Sequence, residues 1–182
     1  MKPLLIVKTG QTLPALRATG EDFEDWIIRG MAIDRARIML VNAYADEALP
    51  NLDSIAGMIV TGSPAMVTDQ EAWSERCAEY LGKAVALNLP VLGICYGHQL
   101  LAYACGGEVG YHPQGREIGT VTIENTAAAQ RDSLFGAMPM RFLGHTTHSQ
   151  SVLRLPKEAV LLASSEHDAH QAFRLGEEIH GG

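Results

Sequence analysis

Four short apolar runs in the first half of the chain predict buried β-strands. They occupy residues 4–7, 36–44, 55–60 and 91–94, and most of each run is continuously apolar rather than alternating with polar positions. Continuous runs are typical of strands that are buried on both faces, as in a parallel sheet covered by helices. We therefore expect these four runs to form the centre of such a sheet.

The segments between these runs carry apolar residues at helical spacing. Phe23, Trp26 and Ile27 mark one helix in the stretch that begins at residue 21. A second helix is predicted to run to about residue 87, with Thr68 and Glu71 forming a capping box at its N-terminus. Its apolar face comprises Trp73, Cys77, Tyr80, Leu81, Ala84 and Val85. Strands and helices that alternate in this way predict an α/β fold.

The chain changes character after residue 106. Residues 108–126 are rich in glycine and β-branched side chains without a long helical period, and 140–156, 159–166 and 170–182 look like further strands. Such strands favour hairpins or an edge extension. The predicted fold class is α/β, with a mostly parallel, doubly wound sheet of the flavodoxin-like kind, helices on both faces and an antiparallel extension in the C-terminal half. Residues 1–182 are expected to form a single domain.

Charge and cysteine content narrow the range of partners. The formal net charge is −7, so the chain lacks the excess of Lys and Arg that nucleic-acid binding requires. No apolar run approaches the length of a membrane span. Its three cysteines, an odd number without Cys-x-x-Cys spacing, predict neither a disulfide framework nor a metal site. We expect a cytoplasmic protein that binds a small molecule and carries no cofactor.

The stretch Gly93-Ile94-Cys95-Tyr96-Gly97 has the Gly-x-nucleophile-x-Gly pattern. This pattern is typical of a sharp turn from a strand into a helix, which lifts a nucleophile above the sheet. A thiol at a helix N-terminus is expected to have a lowered pKa, because the unpaired N–H groups stabilise the thiolate. The alternative is a buried core cysteine between two packing glycines. Cys77 and Cys105 lack such glycines and are predicted to be structural.

Several segments resemble those of one enzyme family. The segment "GICYGHQLLAYACGG" resembles the nucleophile segment of the class I (triad) glutamine amidotransferases, and is most similar to the amidotransferase portion of GMP synthase and its stand-alone relatives. In the same order as in the family, "GMIVTGSPAMVTD" resembles the oxyanion loop, "GREIGTVTI" the Glu-x-Gly segment and "THSQSVLRLP" the Ser/Thr-His-x-x-Ser-Val segment. The resemblance therefore covers most of the chain.

The resemblance implies that the chain hydrolyses the side-chain amide of L-glutamine. Cys95 would be the nucleophile, and the backbone N–H groups of Tyr96 and of Ser63, in the Gly62-Ser63-Pro64 loop, would form the oxyanion hole. The residues that would hold glutamine are Gln99, Thr147, His148 and Ser149. The ammonia would pass to a synthase partner.

The family's catalytic base and its orienting acid form a His-x-Glu pair, and the 182 residues contain no such pair. By resemblance, the segment "AFRLGEEIHG" comes immediately before the catalytic histidine, so His180 is a neighbour of that strand rather than the base. One expectation is that the domain is truncated at its C-terminus. The other is a natural short form in which a different histidine, such as His98, His145 or His148, serves as the base or the activity is lost. The function alternatives are a γ-glutamyl hydrolase-type cysteine enzyme and a non-catalytic glutamine-binding module.

Overall fold

Eleven strands and four α-helices form the fold, which a computed structural model describes over residues 1–182. The strands are β1 (Leu4–Lys8), β2 (Ile38–Asn42), β3 (Gly57–Val60), β4 (Val91–Gly93), β5 (Glu108–Tyr111), β6 (Glu117–Asn125), β7 (Arg141–His148), β8 (Gln150–Arg154), β9 (Val160–Ser164), β10 (Ala172–Leu175) and β11 (Ile179–Gly181). The α-helices are α1 (Pro14–Arg17), α2 (Phe23–Met31), α3 (Ala72–Ala86) and α4 (Tyr96–Ala104). None of them combines the length and apolar character needed to cross a membrane.

Nine strands form one mixed sheet in the order β2-β1-β3-β4-β11-β10-β9-β6-β7. The strands from β2 to β11 in this order are parallel, and those from β10 to β7 continue the sheet with antiparallel pairing. Strands β5 and β8 form a separate antiparallel pair. The predicted parallel sheet with an antiparallel extension is confirmed. The last strand, β11, differs from its neighbours in the extension because it returns to the parallel part and pairs with β4.

Helices bury the parallel strands. Leu5 and Val60 on one face of the sheet share a hydrophobic cluster with Leu81 of α3 and Leu100 of α4. Ile6 is buried as well, although its side chain alternates to the opposite face of its strand. Both faces of the central sheet are therefore covered, which explains why these strands read as continuous apolar runs.

The predicted capping box at Thr68 and Glu71 is wrong. Helix α3 begins at Ala72, and neither Glu71 nor any other side chain caps it. Thr68 lies in a separate 3-10 turn, where its hydroxyl accepts a hydrogen bond from Gln150 Nε2 at 2.6 Å. The Thr68 hydroxyl therefore bonds to a residue that is distant in sequence instead of capping the helix, as its local spacing predicted.

The register of the parallel strands places four chain segments at one edge of the sheet. Val7 pairs with Val60, Val60 pairs with Gly93, and Gly93 pairs with Gly181. The loops that follow β1, β3 and β4 therefore leave the sheet side by side, together with Gly182 after β11. The carboxyl edge of a parallel sheet is where α/β proteins bind their ligands.

Candidate active site

Cys95 stands between β4 and α4 in a strained backbone conformation. Its φ is 53° and its ψ is −102°, outside the regions that an L-residue ordinarily adopts. The flanking glycines make this turn possible. A Cβ at Gly97 would lie 2.4 Å from the carbonyl oxygen of Val60, and one at Gly93 would lie 2.4 Å from that of Gly97. The structure thus contains the sharp strand-to-helix turn that the Gly-x-Cys-x-Gly pattern predicts.

The environment of the thiol differs from the sequence expectation. Burial raises the pKa of Cys95 above its ordinary value, and the hydrogen bond from the Tyr96 N–H offsets this only in part. The expected lowering of the Cys95 pKa is therefore wrong for this structure. The helix N-terminus is present, but loss of solvent outweighs it, and no histidine forms a hydrogen bond with the sulfur.

The predicted oxyanion loop packs beside Cys95. A Cβ at Gly62 would lie 3.7 Å from Cys95 Cβ, so the two backbones are in close approach. Ser63 Oγ donates to the Thr9 carbonyl at 2.7 Å and accepts from the Ala65 N–H at 3.1 Å, which fixes the loop. The backbone N–H groups of Ser63 and Tyr96 donate to no backbone carbonyl. The Ser63 N–H is therefore available to a developing oxyanion, and so is the Tyr96 N–H once it no longer donates to the Cys95 sulfur.

The residues predicted to hold glutamine line the same cavity as Cys95. This cavity has a volume of about 550 Å³, and Gly62, Ser63, Tyr96, Gln99, Thr147, His148 and Ser149 all line it. The Gln99 amide donates to the Gln150 carbonyl at 2.7 Å. Gln99 thereby ties the nucleophile helix to the segment 147–150 that forms the opposite wall.

His148 is held by acceptors at both ring nitrogens. Its Nε2 lies 2.9 Å from a Glu117 carboxylate oxygen, and its Nδ1 lies 3.0 Å from the Gln150 carbonyl. Glu117 is buried and also accepts hydrogen bonds from Ser165 and Gln171. Burial opposes ionisation of Glu117, but the hydrogen bonds from Ser165, His148 and Gln171 outweigh it and lower its pKa. Both ring nitrogens of His148 are thus engaged by Glu117 and Gln150 rather than by the Cys95 sulfur.

The other histidines are also engaged away from the sulfur. Burial lowers the pKa of His98 to about 4, and its ring packs on Phe173 with 5.1 Å between ring centroids. His145 is exposed and its Nδ1 lies 3.0 Å from Thr120 Oγ1. His180 Nε2 lies 3.0 Å from a carboxylate oxygen of Asp132. None of the histidines that the sequence offers as a base is bonded to Cys95.

Sequence reasoning missed several residues of the site. Arg116 lines the cavity and donates to Thr147 Oγ1 at 3.2 Å, and it forms no ion pair with an acidic side chain. Its place immediately before the Glu-x-Gly segment was the available signal. Seven residues between Gln11 and Ile27 also line the cavity; the sequence pattern predicts only a helix face for Phe23, Trp26 and Ile27 and gives no role to the other four. Gly182 was missed as well, although its carbonyl accepts the Cys95 N–H at 3.0 Å.

Comparison with known proteins agrees with this geometry. The family model described as glutamine amidotransferase class-I matches residues 18–181. The chain therefore belongs to the class-I glutamine amidotransferase family. A solved structure of a glutamine amidotransferase from Methylobacillus flagellatus superposes with a TM-score of 0.82 at 27% identity, covering 100% of this chain and 68% of that one.

Two relatives carry more specific names. The glutamine-hydrolyzing GMP synthase of Aeropyrum pernix is 38% identical over 135 residues, which is 74% of this chain and 24% of the synthase. Gamma-glutamyl peptidase 3 of Arabidopsis thaliana is 31% identical over 163 residues, which is 87% of this chain and 61% of the peptidase. The chain thus spans about a quarter of the synthase and about three fifths of the peptidase.

Proposed function

We propose that this site hydrolyses the side-chain amide of L-glutamine. The Cys95 sulfur attacks the amide carbon, and the C–N bond breaks as ammonia leaves with the former thiol proton. Water then cleaves the γ-glutamyl thioester to give glutamate and the free thiol. The observation that carries this proposal is the strained Cys95 thiol beside two backbone N–H groups that donate to no backbone carbonyl, those of Ser63 and Tyr96. These groups stabilise the negative charge that develops on the carbonyl oxygen.

The polar wall of the cavity supplies groups for the amino-acid end of the substrate. Thr147, His148 and Ser149 line the cavity. Gln99 fixes this wall through its hydrogen bond to the carbonyl of Gln150. The Arg116 guanidinium is exposed, and its side-chain contact is the hydrogen bond to Thr147 Oγ1 rather than to a carboxylate. A guanidinium offers paired donors that match a carboxylate, so Arg116 is assigned to the α-carboxylate of glutamine.

The proton transfers need a base that the hydrogen bonds of Cys95 do not supply. In the family that the sequence resembles, a His-x-Glu pair follows the strand that corresponds to β11. Strand β11 runs parallel to β4, and Gly182 meets the N–H of Cys95. Residues joined after Gly182 would leave the sheet beside the nucleophile. We assign residues 1–182 to a single amidotransferase domain, in which a histidine joined after Gly182 would be placed to act as the base.

Ammonia released here would serve a synthetic step on a partner synthase subunit. The 182 residues contain no Gly-x-x-x-x-Gly-Lys-[Ser/Thr] loop of the kind that binds nucleoside triphosphates. The resemblance to GMP synthase and the glutamine-hydrolyzing activity in that relative's name support a GMP synthase-like role. All three cysteines are free, which suits a reducing compartment such as the cytoplasm.

Ammonia release from glutamine tests the proposal. A chain extended by residues carrying His-x-Glu should release ammonia about 10²–10⁴-fold faster than the 182-residue chain, the range expected for a positioned acid–base group. Cys95→Ser should abolish the activity of the extended chain. Cys105→Ala is the matched control, because Cys105 lies at the opposite end of α4 and is not part of the cavity. Equal rates for the 182-residue and extended chains would refute the role assigned to the added histidine.

A further inference from the structure

The cavity continues from Cys95 into a region lined by apolar side chains. We call this region the apolar arm and define it by Leu13, Leu16, Phe23, Trp26 and Ile27. Its residues come from α1, α2 and the preceding loop, whereas the polar wall comes from Arg116 and residues 147–150. Cavities of roughly 300–1,000 Å³ enclose drug-sized ligands. Glutamine is much smaller than such a ligand. The cavity of about 550 Å³ therefore has room beyond the amino acid.

The helix that carries the arm is anchored to the sheet. Lys8, at the end of β1, is buried and pairs with Asp22 at 2.9 Å and with Glu24 at 2.8 Å. Asp22 also caps α2 in a reciprocal capping box with Asp25. A buried ion pair with further hydrogen bonds fixes the position of the elements it joins. The start of α2 is thus held at the carboxyl edge of the sheet, next to the active-site loops.

The aromatic rings of the arm are also oriented. Trp26 Nε1 donates to Glu21 at 3.0 Å, and the Phe23 and Trp26 rings meet edge to face with 5.9 Å between centroids. Leu13 remains 68% exposed and Leu16 remains 44% exposed. A preformed apolar surface in a concave site is typical of a ligand-binding pocket. The arm is therefore ready to bury an apolar group without rearrangement.

The arm also connects directly to the oxyanion loop. A Cβ at Gly10 would lie 2.6 Å from Ser63 Oγ and 2.8 Å from Pro64 Cδ, so the segment that leads into the arm packs tightly on this loop. The polar wall instead joins the nucleophile helix through Gln99 and Gln150. A substrate held by the polar wall at its amino-acid end can thus extend past Cys95 into the arm with its other end.

We propose that this site accepts γ-glutamyl amides whose amine carries an apolar substituent, which the apolar arm binds. The inference rests on the proposed function, because it uses the same nucleophile and oxyanion donors. Attack by Cys95 forms the thioester, the C–N bond breaks, and the apolar primary amine leaves with a proton in place of ammonia. Water completes the reaction, so that γ-glutamyl amide and water give glutamate and the free amine.

A binding series separates this inference from the proposed function. We would measure dissociation constants by calorimetry for the Cys95→Ala chain, which cannot turn over its ligands. The probes are glutamine and the γ-glutamyl methyl-, butyl- and hexylamides. Each methylene buried in the arm should tighten binding by up to about fourfold, equivalent to about 0.8 kcal/mol. Binding of glutamine together with a flat alkyl series would overturn the inference alone, whereas no binding of any probe would overturn both.

Two exposed leucines provide a matched pair of variants. Leu13→Ser should lower the ratio of hexylamide to glutamine affinity several-fold. Leu87→Ser should leave this ratio unchanged, because Leu87 is 67% exposed, like Leu13 at 68%, but lies outside the cavity at the end of α3. Equal ratios of hexylamide to glutamine affinity in the two variants would show that the apolar arm does not bind the substituent. If the arm instead receives a protein partner, the alkyl series is flat.

Discussion

Replacing Gly97 by alanine tests whether close packing at the nucleophile turn shapes the site. The new Cβ would lie 2.4 Å from the Val60 carbonyl oxygen and 2.9 Å from both the carbonyl carbon and the Cβ of Val60. Val60 is a buried residue of a central strand, so moving it away would disturb the packing of the sheet. The backbone of α4 must therefore shift, and the hydrogen bond from Gly97 N–H to the Thr61 carbonyl at 3.2 Å is put under strain.

The expected size of the effect follows from two opposing contributions. Overpacking in a core typically costs about 1–3 kcal/mol. Alanine recovers at most about 1 kcal/mol over glycine in a helix. With the full offset, we expect Gly97→Ala to lower the free energy of unfolding by up to about 2 kcal/mol, and the melting temperature by up to about 8 °C for a domain of this size. The rate at which iodoacetamide modifies Cys95 should change as well, because the thiol moves with the turn.

Gly82→Ala is the matched control within α3. The nearest atom to its new Cβ would be the Ala104 carbonyl oxygen at 3.8 Å, an ordinary contact. The same substitution should therefore raise the melting temperature by about 1–4 °C through helix propensity. Thermal unfolding followed by circular dichroism measures both variants. A Gly97→Ala chain that melts at or above the Gly82→Ala chain would refute the packing argument.

Three further predictions concern buried polar groups. Because burial raises the pKa of Cys95, its alkylation in the 182-residue chain should still be accelerating with pH where a free cysteine has reached its plateau. Glu117→Gln should cost about 1–3 kcal/mol of stability, because the NH₂ group of the new amide would face the donors Ser165 and Gln171. Glu124→Gln is the control on the same strand. Glu124 is exposed, so this change should cost under about 1 kcal/mol. Lys8→Met should cost about 3–5 kcal/mol, because it leaves the buried Glu24 carboxylate without a cation and Asp22 with only the part-exposed Arg17 at 3.7 Å.

The measurements are peptide mass spectrometry for alkylation and denaturant unfolding for the variants. Burial opposes ionisation of Asp22, but hydrogen bonds from Lys8, Thr12 and Phe23 lower its pKa. Its stabilising contribution is therefore present above its ordinary pKa and is lost as pH falls through the lowered value. In Lys8→Met, the free energy of unfolding should therefore fall less steeply as the pH is lowered through this range. An alkylation plateau at or below the pH where a free cysteine reaches its own, equal costs for the two glutamate variants, or an unchanged loss of stability at acid pH in Lys8→Met would each contradict the corresponding prediction.

Local pattern accounts for the parts of the fold that the sequence predicted correctly. Strands β1 to β4 were recognisable because burial on both faces requires continuous apolar residues. The turn at Cys95 was recognisable because only glycine fits on either side of it, where a Cβ would meet backbone atoms. The capping box was predicted wrongly for the opposite reason. Thr68 has the right local spacing, but its hydroxyl is bonded to Gln150, which is remote in sequence.

By itself, the sequence determined the α/β class, the sharp turn at Cys95 and the family to which the chain belongs, because each depends on residues that are close together along the chain. Tertiary structure alone decided the raised pKa of Cys95, the engagement of His148 by Glu117, and the placement of β11 against β4. It also brought the apolar arm to the same cavity as the polar wall. These features depend on burial and on contacts between distant segments, which the folded chain creates and local pattern does not encode.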